Sequence, residues 1–200
     1  MNRTTSIRSA TVLVACLTAG ACGLFETRTP EQPPPPEEGC RPLTGSSFAV
    51  IFNTEDFYGR ASGTTCYASM LDTSFTFTPD PQDVSVFLPG TPFDGWDETV
   101  ETTVNENIAS VQKFIEVDFI DEYSNAIISP DQNTEQRFWN YQLRFAYQDS
   151  TDTLRFAGKA DLTLHRINTG QWKITNWADH RGGVTDSTWG RLRGDSRIRQ

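Results

Sequence analysis

Trp139-Asn140-Tyr141-Gln142-Leu143-Arg144-Phe145-Ala146-Tyr147-Gln148 alternates large apolar residues with mainly polar ones. The stretch 154–165 does the same, with Leu154, Phe156, Ala160, Leu162 and Leu164 set against Arg155, Lys159, Asp161 and His165. A period of two sustained this long predicts strands with one face on a core and the other toward solvent. Gln148 to Asp152 and Asn168-Thr169-Gly170 supply turn residues, so these strands and a last one over 171–179 are expected to be antiparallel neighbours. Upstream, Lys113, Ile115, Val117 and Phe119 alternate in the same way and add another long strand.

Further toward the N-terminus the period changes. Trp96 to Ser110 can form a helix after the Pro89-Gly90 turn, and 73–78 reads as a short strand stopped by Pro79 and Pro81. Between Leu43 and Leu71 the pattern is helical: Val50, Ile51, Phe57, Tyr58 and Ala61 share one face, Ser46 or Ser47 can cap it, and Gly63 separates a second, shorter helix from about Thr64. The fold class expected is α+β, with N-terminal helices packed in the concave face of a curved, mainly antiparallel sheet.

That order, with Tyr67-x4-Asp72-x2-Phe75-x-Phe77 and the closing Gly170-Gln171-Trp172-Lys173-Ile174-x2-Trp177-x-Asp179, resembles the nuclear-transport-factor-2-like superfamily, also called SnoaL-like or ketosteroid-isomerase-like. The resemblance runs from about Leu43 to Asp179. It implies a cone whose open end is a natural ligand pocket, used by some members for catalysis and by others only for binding or scaffolding. The tail Ser187-x-Trp189-Gly190-x-Leu192-Arg193 also looks like that of bacterial lipoproteins of this type.

The first residues read as an export signal. Arg3 and Arg8 precede an apolar stretch from Ala10 to Leu17, then Ala19-Gly20-Ala21 stands before Cys22. This resembles a bacterial lipoprotein signal, cut ahead of a cysteine that receives the lipid. Leu13-Val14-Ala15-Cys16 matches the usual box more closely but leaves a short apolar core, and Ala19-Gly20-Ala21 also suits ordinary secretion. The preferred division is a signal peptide over 1–21, a lipid anchor and Pro-rich linker over 22–42, the domain over 43–180, and a basic tail with a short helix over 181–200. Gly23 after the anchor cysteine, in place of an aspartate, resembles outer-membrane sorting, so the periplasmic face of that membrane is the expected home.

Composition bounds the partners. With 13 Phe and 5 Trp in 200 residues the bulk of the chain should fold. Net charge is −9, and loss of Arg3 and Arg8 with the signal takes it to −11, which repels nucleic acid. The partners expected are the membrane, through the lipid, and a protein or small-molecule ligand. The Pro33 to Pro36 run favours an extended, semi-rigid spacer.

Candidate site residues are few. Cys40 and Cys66 remain to pair in an oxidising compartment or to stand as free thiols. Asp80, in Pro79-Asp80-Pro81, lies roughly where a ketosteroid-isomerase-like enzyme carries its general base, although Asp-Pro is also ordinary turn chemistry. Tyr58, Trp139, Tyr141 and Trp172 could line a pocket, or simply pack the core. His165 and His180 lack the clustering of a metal or acid/base site, so no metal and no cofactor is expected. In 181–200 five arginines (Arg181, Arg191, Arg193, Arg197, Arg199) face Asp186 and Asp195, leaving a local +3 suited to anionic headgroups, an acidic partner or a frayed helix end. The residues lean toward a non-catalytic binding or assembly domain. The alternatives are a small isomerase or dehydratase using Asp80, and a carrier of a hydrophobic molecule in the cone.

Overall fold

A computed structural model describes residues 39–88, 90–183 and 187–199. The signal over 1–21, Cys16, Cys22 and the linker as far as residue 38 lie outside the described residues. From Glu38 to Gln200 the chain is one compact unit. Its elements in order are α1 (Phe48–Phe57), α2 (Thr64–Met70), β1 (Leu71–Thr78), α3 (Pro81–Val86), α4 (Glu98–Val111), β2 (Gln112–Glu122), β3 (Ile127–Ile128), β4 (Thr134–Tyr147), β5 (Leu154–Arg166), β6 (Trp172–Arg181) and α5 (Trp189–Ile198).

The alternating stretches are the sheet, ordered β1-β6-β5-β4-β2, with the two-residue β3 also on β4. β2, β4, β5 and β6 pair antiparallel, while β1 runs parallel to β6, a direction open to it because a long stretch of chain separates the two strands. Tyr141, Leu143 and Phe145 on β4, Phe156, Ala160, Leu162 and Leu164 on β5, and Ile174 and Trp177 on β6 are buried on one face. Register shifts in β2 and between Thr163 and Leu164 of β5 mark bulges, which bend strands and let the sheet curl around the helices. Gly170, with φ +82°, turns the β5–β6 hairpin, as its turn residues predict.

The helices depart from expectation in three places. α1 stops at Phe57, so Ala61 is exposed instead of sharing its buried face. The cause is Gly59, whose φ of +68° leaves the helical region and whose N–H donates to Asn105 Oδ1 at 3.0 Å. Pro79-Asp80-Pro81 does more than end a strand: Asp80 caps α3, its carboxylate accepting from the Gln82 N–H at 2.8 Å with Pro81 at the first helical position. The third departure is the C-terminus. The short helix expected in 181–200 is present as α5, but it is no tail: Trp189, Leu192 and Arg193 are fully buried, and the compact unit extends past residue 180.

Candidate functional site: the interior of the cone

The concave face of the sheet, α1, α2 and α4 enclose a space where five elements contribute polar groups to an otherwise aromatic core. On β6, Asp179 follows Trp177 by two residues and so points inward with it. Its Oδ1 accepts from the Tyr141 hydroxyl at 2.7 Å, and its Oδ2 from the Gly190 N–H at 2.6 Å; the Tyr141 oxygen in turn accepts from the Trp189 N–H at 2.7 Å. Burial pushes the Asp179 carboxyl up to about 6, with Arg193 and the Tyr141 hydrogen bond pulling the other way. Burial first, then the negative Asp179, holds the Tyr141 hydroxyl well above its ordinary value. Gly158 makes the approach of these groups feasible, since a Cβ there would fall 2.7 Å from the Tyr141 hydroxyl oxygen.

A second cluster lies beside the first. Glu101 of α4 accepts from Tyr67 Oη at 2.6 Å, Trp96 Nε1 at 2.8 Å and Arg193 Nε at 3.0 Å, so α2, the 93–97 loop and α5 converge on one carboxylate. Both members of the Arg193–Glu101 pair have completely buried side chains. The guanidinium carbon sits 4.1 Å from the Trp177 ring centre and 4.5 Å from that of Phe77. Burial works against its charge, but Glu101, Tyr58, Tyr67 and Asp179 outweigh burial and hold its pKa above the usual arginine value.

α5 fills what would otherwise be the pocket. The Trp189 ring packs edge-on against Tyr58 at 4.6 Å, Trp177 at 4.8 Å and Tyr141 at 5.4 Å between centres. Gly194 seats the helix closely, because a Cβ there would meet Phe87 at 2.7 Å and Phe93 at 2.9 Å. A tyrosine–carboxyl pair with a raised acid pKa is the kind of arrangement that moves protons. Here both partners are hydrogen-bonded to the backbone of α5, so their free valences face the protein's own helix.

Of the four candidate pocket residues, Tyr58 and Tyr141 meet in this interior around Trp189. Trp172 lies elsewhere, donating Nε1 to Gly45 O at 3.3 Å, and Trp139 packs half-buried against Phe48 and Phe119. Trp172 and Trp139 thus lie apart from the Tyr58–Tyr141 pair. Two clefts among the described residues, of about 420 and 340 Å³, lie beside β2 and over Arg144 and Arg155 of β4 and β5, and none of the four borders either.

Asp80 is held for structural work. Beyond capping α3, its Oδ2 accepts the Arg181 N–H at 3.0 Å, and the Arg181 side chain bridges to Asp83. Asp83 also accepts from Thr188 Oγ1 at 2.5 Å, and Thr188 caps α5, so this network ties α3 and the end of β6 to the start of the plugging helix. Cys40 and Cys66 are joined in a disulfide that fastens the start of the domain to α2. His165 is exposed, and His180 stands 3.2 Å from Asp161. Among the described residues no cluster of three or more His, Cys, Asp or Glu has metal-holding geometry.

Sequence reasoning named none of Asp179, Glu101, Tyr67, Trp189 and Arg193 as an interior site residue, although all but Glu101 stand in the stretches that carry the resemblance. One signal for Asp179 was present: an acid two residues after Trp177 on a strand shares its inward face. Trp189, Leu192 and Arg193 at spacings of three and four likewise mark a helix face, and an arginine within that stripe calls for a buried acid. Nothing local identifies Glu101 as that acid.

No protein-family model matches the chain, and no curated protein matches it. Solved structures do. A Novosphingobium aromaticivorans protein provisionally assigned as an aromatic ring hydroxylase matches with a TM-score of 0.52 at 10% identity, covering 72% of this chain and 91% of that one. A second protein of that organism, provisionally assigned as a scytalone dehydratase, matches with a TM-score of 0.51 at 12% identity over 71% and 89% of the two chains. A conserved protein of Planctomyces limnophilus matches with a TM-score of 0.51 at 12% identity over 66% and 89%. At these identities the likeness is one of architecture. A helix-filled cone of curved, mainly antiparallel sheet gives this domain the nuclear-transport-factor-2-like fold.

Proposed function

We propose that this chain is a cell-envelope lipoprotein, lipidated on Cys22 and held at the periplasmic face of a bacterial outer membrane, whose domain binds or assembles with another molecule and does not catalyse. The anchor is supported by Ala19-Gly20-Ala21-Cys22 behind a short apolar core and by Gly23 after it. The observation that carries the non-catalytic half is the position of α5: Trp189 and Arg193 occupy the concave interior where a substrate would have to sit. With the interior closed, recognition falls to the outer surface.

Two measurements test this. In a didermal bacterium expressing the full chain, labelled palmitate should enter the protein and disappear in Cys22→Ala, with the variant leaving the membrane fraction; label on Cys16, or a soluble chain beginning at residue 22, overturns the anchor. For the interior, the Trp189 and Gly190 amides should exchange with deuterium only at the free energy of global unfolding. A second reading is favoured by one feature, the Tyr141–Asp179 pair: α5 would swing out to uncover an acid/base site for an isomerase- or dehydratase-like reaction. Exchange of those two amides through a sub-global opening would support it and count against the closed cone.

A further inference from the structure

We propose that the open edge of β2, beside the end of α1, is a docking edge for an extended, lysine- or arginine-bearing segment of a partner protein. The proposal deepens the binding reading and rests on it for the premise that the domain works from its outside. Along 112–122 the sheet ends at β2, whose one strand neighbour among the described residues is β4. Phe119 turns its N–H away from β4 and donates it to Glu55 Oε1 at 2.7 Å. In an antiparallel strand, residues two and four positions earlier present their N–H and C=O the same way, and the pairing from Phe114 to Phe119 is unbroken. Val117 and Ile115 therefore direct their backbone groups to the open edge. Glu55 acts as a stand-in partner for one rung, and the next two face no further strand among the described residues.

Those two residues border the cleft of about 420 Å³ whose opposite wall is the end of α1. Its lining carries Glu55, Asp56, Glu116 and Asp118 with Arg60. From outside the lining Arg41 pairs with Asp56 and Arg144 with Glu116, so the acids still outnumber the cations around the cleft by four to three, with Glu55 and Asp118 outside these ion pairs. An added strand would place alternate side chains on the two sides of the sheet, one set toward Glu55 and Asp56, the other toward Glu116 and Asp118. Cationic residues on both sides match this charge. The other occupants fit badly. A second copy pairing β2 to β2 would bring its own Glu116 and Asp118 against the same acids. The chain's linker over 22–42 carries Glu26, Glu31, Glu37 and Glu38 against Arg28 and Arg41, and Pro33 to Pro36 have no N–H to donate.

The test is amide exchange of the full chain with an acetylated hexapeptide, Lys-Lys-Val-Val-Lys-Lys, which carries lysine on both sides of an added strand. Without peptide, the Ile115 and Val117 amides should exchange fast; with it they should slow by about tenfold or more, the worth of roughly one backbone hydrogen bond. The same peptide with glutamate for lysine should bind on the order of tenfold more weakly, and so should the lysine peptide on Asp118→Lys, a change at an exposed side chain that leaves the core intact. Of two peptides N-methylated at alternate amides, one should keep binding and the other lose it. The proposal is overturned if saturating peptide leaves both amides fast, if both N-methylated peptides bind alike, or if the protein alone dimerises with those amides already protected. Fast edge amides with peptide, combined with globally protected Trp189 and Gly190 amides, would remove this proposal and leave the binding reading standing. The reverse combination would remove the closed cone and leave the edge.

Discussion

Two arginine–glutamate pairs of this domain have the same chemistry and opposite consequences. Arg193–Glu101 lies at the heart of the cone with both side chains fully buried, Glu101 held by Tyr67 and Trp96, and the guanidinium stacked on Trp177. Arg144–Glu116 crosses from β4 to β2 with side chains 48% and 37% exposed. Water competes for the outer pair at every moment, so its net worth is small. The inner pair has no such recourse: either partner without the other is a charge stranded in an aromatic core. The contrast teaches that this protein placed its costliest charges in the middle of the cone, where each depends wholly on its partner.

The largest effect expected is from Arg193→Ala, which strands Glu101 and should cost about 3–5 kcal/mol in urea-unfolding free energy. A loss no greater than that of a surface pair would break the comparison and imply that water already reaches the interior.

Next comes pH, acting through Asp179. Its folded value of about 6 lies above the ordinary 3.8, so the folded state holds the proton more tightly than the unfolded one. This contribution to stability is complete below about pH 4 and is lost as pH rises through 6, on the order of 3 kcal/mol across the window. Carboxylates such as Asp72, lowered mainly by Ser74's backbone hydrogen bond, act in the opposite direction and lose their contribution at low pH. The measurement is therefore a difference: unfolding free energies of wild type and Asp179→Asn from pH 4 to 7, in which the variant should lack the decline. Parallel curves would mean that Asp179 is solvated.

The smallest effect should come from Glu116→Gln, under about 1 kcal/mol and shrinking further in salt. A larger cost would show the outer pair to be more sheltered than its exposure indicates.

Legibility in the sequence divided along the same line. The strands were readable because a half-buried sheet imprints a period of two on 134–147 and 154–166, and the turns because Asn168-Thr169-Gly170 supplies the chemistry a hairpin needs. The interior was less so. Arg193 reads as one more cation in a basic tail until Glu101, 92 residues earlier, is known to lie 3.0 Å away. Asp80, singled out by its resemblance to a catalytic position, is an N-cap tied to Arg181, since a short polar side chain before Pro81 satisfies helix ends as readily as it does chemistry.

By itself, then, the sequence determined the α+β class, the antiparallel hairpins and the acidic balance, because each is written in local periodicity or in summed composition. Only the tertiary structure decided that the cone is filled from within, that Tyr141, Asp179, Glu101 and Arg193 share that interior, and that β2 is left as an open edge beside acidic residues of α1. Those facts depend on which distant segments meet, and a charge is free or committed according to its neighbours in space, whatever its neighbours in the chain.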